Sequence, residues 1–204
     1  DMELESKISE LSRQVNQLTE MVILMKGSNL QYVTNQTHEL CMLAVNDSPD
    51  NIKYVHEHNK TYDICLKAVS HDGMLLEYCP NTFTDIEMST LYREALQNNG
   101  YALQFVPFEQ RTPELCLETV YSAIRVNVNH LIKLMFRMPV TIEYIQVWRV
   151  AIYNTPKIFT ILPKHGELYN ALRSYAIQMD YKLIERLDDV TEEELIEYIK
   201  LYPR

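Results

Sequence analysis

Glycine is nearly missing from this chain. There are four in 204 residues, where average usage gives about fourteen. So few glycines exclude many tight turns or left-handed backbone positions, and with them an all-β sandwich or barrel. They also exclude glycine-rich phosphate loops of the GxGxxG or GxxxxGK kind. Lysine and arginine are scarce beside acid, 19 against 28, for a net charge of −9. No basic run exceeds an isolated pair, so the phosphate-binding face of a nucleic-acid protein is absent and nucleic acid is not an expected partner. No apolar run approaches the roughly 18 residues of a membrane span, and no basic-plus-apolar leader is visible at the start. Membrane association is not expected either. Four cysteines without a CxxC make no disulfide framework, which points to a reducing compartment. The sequons at Asn35, Asn46 and Asn59 read as chance in that setting.

What is present is, first, a heptad. Leu4, Ile8, Leu11, Val15, Leu18, Val22 and Met25 are spaced by alternating steps of four and three. That sustained 3.5-residue period predicts a coiled-coil helix over residues 1–26. Ile8, Val15 and Val22 fall at position a, with Leu4, Leu11, Leu18 and Met25 at d. β-branched residues at a with leucine at d favour a parallel pair of helices. The flanking positions, Glu5, Ser12 and Thr19 with Lys7, Gln14 and Met21, carry little complementary charge. Orientation is therefore weakly specified, and a trimer stays open beside the expected homodimer.

The rest of the chain, 27–204, repeats itself. NLQYV after Ser28, MLLEYC from Met74 and YALQFV from Tyr101 each place a leucine two residues before an aromatic. Gly27, Gly73 and Gly100 each stand three residues before that leucine, so three of the four glycines hold one position of a repeat. Upstream, ELCMLAV, DICLKAV and ELCLETV align Cys41, Cys65 and Cys116, with Ala44, Ala68 and Thr119 three residues later. The small residue recurs at Ala95, Ala151 and Ala176, giving units of about 25 residues that weaken after about residue 120. Thr37, Thr61, Thr112 and Thr191 are placed to cap each first helix, with Pro113 at its first position and a capping box at Thr191 to Glu194. Each unit then reads as a helical hairpin whose glycine ends the first helix or shapes the turn. One hairpin cannot bury its own apolar side, so the units are expected to stack as an α-solenoid. The predicted class is all-α: a coiled-coil helix followed by ~25-residue helical-hairpin repeats.

The stretches DICLKAVSHDGMLLEYCP, NGYALQFVPFEQRTPELCLETV and NLQYVTNQTHELCMLAV resemble the DUF4116-type repeats of giant-virus proteins and intracellular bacterial effectors. The resemblance covers about residues 27 to 120. It implies a helical-repeat architecture and a viral or effector origin, hence host cytoplasm or virion. It implies no catalytic residue, because the family has no established activity.

Candidate chemistry is thin. Cys41, Cys65 and Cys116 read as core positions, since buried free cysteine behaves as a small hydrophobe. Cys79 stands beside Pro80 with no evident base. His56 and His58 flank Glu57, but no third zinc ligand follows at useful spacing. The acidic run Asp188, Asp189, Glu192, Glu193 and Glu194 sits at a helix start, where it complements the helix dipole. Trp148 and Tyr144 read as core. No catalytic residue, cofactor or metal is expected. The expected function is a non-catalytic protein–protein interaction scaffold or adaptor for an unidentified protein partner. The alternatives are a metal protein or enzyme built from His and Cys groups gathered by folding, and RNA binding by helical repeats.

Overall fold

The computed structural model describes residues 2–203. No strand occurs among them, and no helix there is long and apolar enough to cross a membrane. The chain divides after Phe105 into two compact units.

The first unit is built on α1 (Met2–Met25), α2 (His38–Asp47), α3 (Tyr62–His71) and α4 (Asp85–Asn98). A three-ten helix of six residues follows each: Gly27–Tyr32, Pro49–Tyr54, Gly73–Tyr78 and Gly100–Phe105. The second helix of each expected hairpin is thus a short, tight three-ten turn. Its cause is the residue just before it. Lys26, Ser48, Asp72 and Asn99 are extended, with φ of −163°, −150°, −139° and −147°, which stops the α-helix. All four still close the last helical bond: the N–H groups of Lys26, Ser48, Asp72 and Asn99 donate to the carbonyls of Val22, Ala44, Ala68 and Ala95 at 3.3, 3.1, 3.0 and 2.8 Å. The chain then turns back, and Leu30, Leu76 and Leu103 enter the core.

The glycines in these turns are not there for left-handed backbone, since no glycine has positive φ among the described residues. They allow close approach. A Cβ on Gly73 would lie 2.9 Å from the Ala95 carbonyl carbon and overlap its oxygen. A Cβ on Gly27 would lie 2.7 Å from the Ala44 oxygen. Each glycine therefore packs on the backbone of the α-helix that comes after it, at the alanine of the repeat, which accounts for both columns together. The contact is hydrogen-bonded as well. Gly27 N–H donates to Asp47 Oδ2 at 2.8 Å and Gly73 N–H to Asn98 Oδ1 at 2.9 Å. Asn98 also donates through Nδ2 to the carbonyl of His71 at 3.0 Å, satisfying the end of α3.

Threonine side chains cap four of the nine α-helices among the described residues. Thr37 and Thr112 accept from the N–H groups of Leu40 and Leu115, and Thr191 forms the expected capping box with Glu194. Thr61 departs from expectation and makes no side-chain cap. Its hydroxyl turns to Asp63, whose carboxylate instead accepts from the N–H of Ile64 at 3.0 Å. A further capping box, Thr84 with Glu87, starts α4. Thr84→Ala is expected to cost about 1 kcal/mol, read as an earlier midpoint in urea denaturation followed by circular dichroism. An unchanged midpoint would show that the box adds nothing.

The second unit holds α5 (Pro113–Asn127), α6 (Leu131–Met135), α7 (Ile145–Asn154), α8 (Glu167–Met179) and α9 (Glu192–Leu201). α5 runs one turn beyond α2 or α3, and the regular three-ten turn is replaced after it by Val128–His130 and α6. The regular pattern returns with Pro156–Ile161 after α7 and Tyr181–Arg186 after α8, again following residues of similar φ, Thr155 at −149° and Asp180 at −148°, bonded to Ala151 and Ala176. Trp148 is buried in α7 and donates through Nε1 to the Pro139 carbonyl at 2.8 Å. Tyr144 lies just before α7, and its hydroxyl donates to the Arg111 carbonyl at 2.7 Å.

Candidate interaction surface

All seven heptad residues lie on α1, and all seven are exposed. Leu4, Ile8, Leu11, Val15, Leu18, Val22 and Met25 have between 44% and 83% of their surface open. Ile23, one step off the seam, is the single buried residue described in α1. The helix is held at its C-terminal turn, where Lys26 N–H and Asn29 Nδ2 both donate to the Val22 carbonyl at 3.3 and 2.9 Å. Twenty-four residues at about 1.5 Å each make a helix of about 36 Å, and most of that length has no neighbour in its own chain.

Comparison with the other helices shows what the seam lacks. The bond from Lys26 to Val22 matches those from Ser48 to Ala44 and Asp72 to Ala68, so Val22 holds the alanine position of the repeat. Leu18, four residues earlier, holds the position of Leu40, Ile64 and Leu91, which are buried. In α2 and α4 the alanine faces the glycine of the preceding three-ten turn. Among the described residues no three-ten turn precedes α1, and Val22 is exposed. Instead a shallow groove runs along Val15, Leu18 and Val22, with Asn29, Tyr32 and Val33 as its second wall.

The remaining candidates are dispersed. Cys41 and Cys116 are buried, their thiols aimed at Gln36 Oε1 and the Arg111 carbonyl at 3.6 Å, and burial pushes them up to about 11 and about 12. Cys65 is buried as well, and Cys79 is half-buried. The His56 and His58 rings lie 5.8 Å apart, centroid to centroid. His38 pairs with Asp63 at 3.1 Å on the surface. No group of three His, Cys, Asp or Glu placed to hold a metal occurs among the described residues. The acidic run at 188–194 is met by cations. Lys164 binds Asp188 at 2.6 Å, and Arg173 spans Asp189 at 3.0 Å and Glu194 at 2.5 Å.

Two polar residues that the sequence reading passed over organise the turns. Gln36 and Arg111 each precede the repeat cysteine by five residues. Gln36 donates to the Tyr54 carbonyl at 2.8 Å and accepts from His56 N–H at 2.8 Å. Arg111 donates to the carbonyls of Val106 and Arg137, both at 2.9 Å. Their shared offset from the cysteine was the available signal. Their chemistry differs, so a residue-type pattern does not show it.

Residues 37–84 and 61–111 match the family described as Domain of unknown function (DUF4116). The two matches begin 24 residues apart, one repeat unit, and each covers two successive units. The likeness to DUF4116 read from the repeats therefore holds over residues 37–111. No curated protein and no solved structure matches the chain.

Proposed function

Starting from the DUF4116 stretch over residues 37–111, we propose that the chain is a non-catalytic interaction scaffold. It self-associates through α1 and offers its stacked helical units, arranged as an α-solenoid, to a protein partner. The observation that carries this reading is the exposed seam of α1, two of whose residues, Leu18 and Val22, hold positions that are buried in α2, α3 and α4.

The energetics favour a second copy as the occupant. An isolated helix of this length is marginal in water, and most helical stability comes from packing an apolar face. Two copies would bring fourteen seam side chains together. At about 1.5 kcal/mol each, the low end for aliphatic burial, this is about 20 kcal/mol gross against an association cost of about 4–15 kcal/mol. The a and d residues suit two parallel helices. Pairing would also place two sets of repeats on one particle, which raises avidity for a partner that both can reach. A viral or effector origin, which the resemblance of the repeats implies, supports a site of action in the host cytoplasm or the virion.

Light scattering on the full chain tests the reading. The parent is expected at about twice its 24.0 kDa, and Leu11→Ser with Leu18→Ser at 24.0 kDa with its helical circular dichroism largely kept. A monomeric parent at micromolar concentration would falsify self-association.

A further inference from the structure

In the second unit α5 packs on α7 and α7 on α8. An open groove of about 540 Å³ lies where they meet, lined by Tyr121 and Ile124 of α5, Arg149, Val150 and Tyr153 of α7, and Tyr175 of α8. The repeat puts these residues there. Tyr121 and Tyr153 stand two residues after the small residues Thr119 and Ala151, and Val150 and Tyr175 stand one before Ala151 and Ala176. In the first unit the same positions of α2 and α3, Asn46, Lys67 and Ser70, line a groove of about 350 Å³. That groove is polar. One register therefore forms a groove in each unit, and the groove of the second unit is aromatic.

We propose that the groove of the second unit binds an acidic linear segment of a partner protein, with a carboxylate of the segment on Arg149 and a neighbouring apolar side chain among the three tyrosines. This rests on the reading of the chain as an interaction scaffold, and adds the place and the chemistry of its partner. Tyr121 and Tyr153 are exposed, while Ile124, Val150 and Tyr175 are half-buried. Three tyrosines around one open groove mark a contact surface, because tyrosine gives a large apolar area with a polar tip and loses little freedom when it is covered.

Charge selects the occupant. Arg149 is the one charged residue in the lining, in a chain whose net charge is −9. α7 itself contains no Asp or Glu. The Arg149 guanidinium lies 4.9 Å from the centre of the Tyr175 ring, a stack that restrains it before any partner arrives. No hydrogen bond or ion pair engages Arg149 among the described residues, so its N–H groups are open to a carboxylate, which a guanidinium can bind through two parallel bonds. A basic segment would meet this cation as a like charge. A nucleic acid needs several cations along its phosphates, and the groove supplies one.

The test selects short random peptides, displayed on phage, on the immobilised full chain, and titrates the enriched peptides by fluorescence anisotropy. Enriched peptides are expected to carry Asp or Glu beside an aliphatic or aromatic residue. Arg149→Gln should weaken them by about ten- to a hundredfold, the effect of losing one charged bond. Tyr153→Ala should weaken them by about tenfold or more. Lys67→Gln, in the polar groove of the first unit, should leave binding unchanged. All three side chains are exposed, so the helical circular dichroism is expected to stay. Leu11→Ser with Leu18→Ser should bind the peptides as the parent does, which separates a failure of this site from a failure of self-association. The proposal is overturned by no enrichment, by enriched peptides without acid, or by equal binding to the parent and Arg149→Gln. Equal weakening by Lys67→Gln, or displacement of the peptides by a short single-stranded RNA, would overturn it as well.

Discussion

Gly73→Ala is expected to destabilise the first unit by about 2–4 kcal/mol, the range for forcing extra volume into a packed backbone contact. The loss should appear as a lower denaturation midpoint. The added methyl would overlap the Ala95 oxygen and lie 3.2 Å from Asn99 Cβ. Neither neighbour is the free end of a flexible side chain. Relief requires α4 to move away from the Gly73–Tyr78 turn, which also breaks the bond from Gly73 N–H to Asn98. Gly166→Ala is the control. Its Cβ would meet only the Pro163 oxygen, at 3.5 Å, and its φ of −75° suits alanine. It should change stability by less than about 1 kcal/mol, the loss of a glycine cap being offset by lower chain entropy. If the two variants behave alike, the glycine column does not mark close packing between units.

Arg173→Met should release α9 from the second unit. No side chain of α9 is buried, so the helix depends on polar clamps at its start. Arg173 supplies most of them: two bonds to Glu194, one to the Asp189 carboxylate at 3.0 Å and one to the Asp189 carbonyl at 2.9 Å. Tyr169 adds a bond to Asp189 at 3.1 Å. Methionine keeps much of the apolar stem but leaves two partly buried carboxylates without their cation. Losing one partner of such a pair costs about 3–5 kcal/mol when fully buried. The clamp is about one-fifth exposed, so about 2–3 kcal/mol is expected. Hydrogen exchange over residues 195–202 should rise strongly in the variant and stay unchanged elsewhere.

The same clamp gives an acid dependence with a definite sign. The guanidinium of Arg173 holds the Glu194 carboxyl at about 2, below its usual 4.5. A carboxylate whose folded pKa is depressed adds stability above its unfolded value and loses it as pH falls toward the folded one. The contribution is therefore full above about pH 4.5 and disappears between there and about pH 2. Its size is about 2 kcal/mol after allowance for solvent screening. Protection of α9 measured from pH 6 to pH 2 should fall through that window in the parent and be low and flat in Arg173→Met. A parent without the acid loss would remove Glu194 from the clamp.

The helical class, the heptad, the threonine caps and the register of the repeat are properties of neighbours along the chain. The 3.5-residue period from Leu4 to Met25, Thr191 three residues before Glu194, and Gly73 five residues after Ala68 could all be counted. The Thr84 box was open to the same counting. Other features depended on contacts across the fold. Gly73 is needed because of Ala95, the cap of α3 comes from Asn98, and Arg173 reaches Asp189 and Glu194. These partners lie 16 to 27 residues apart, so no local period links them. The sequence by itself determined which residues are apolar, where helices begin and where units recur, since propensity and capping act within a few residues. Only the tertiary structure decided that the second element of each unit is three-ten, that glycine serves close approach, and that the α1 seam stays open, because close approach and burial depend on what the rest of the chain brings alongside.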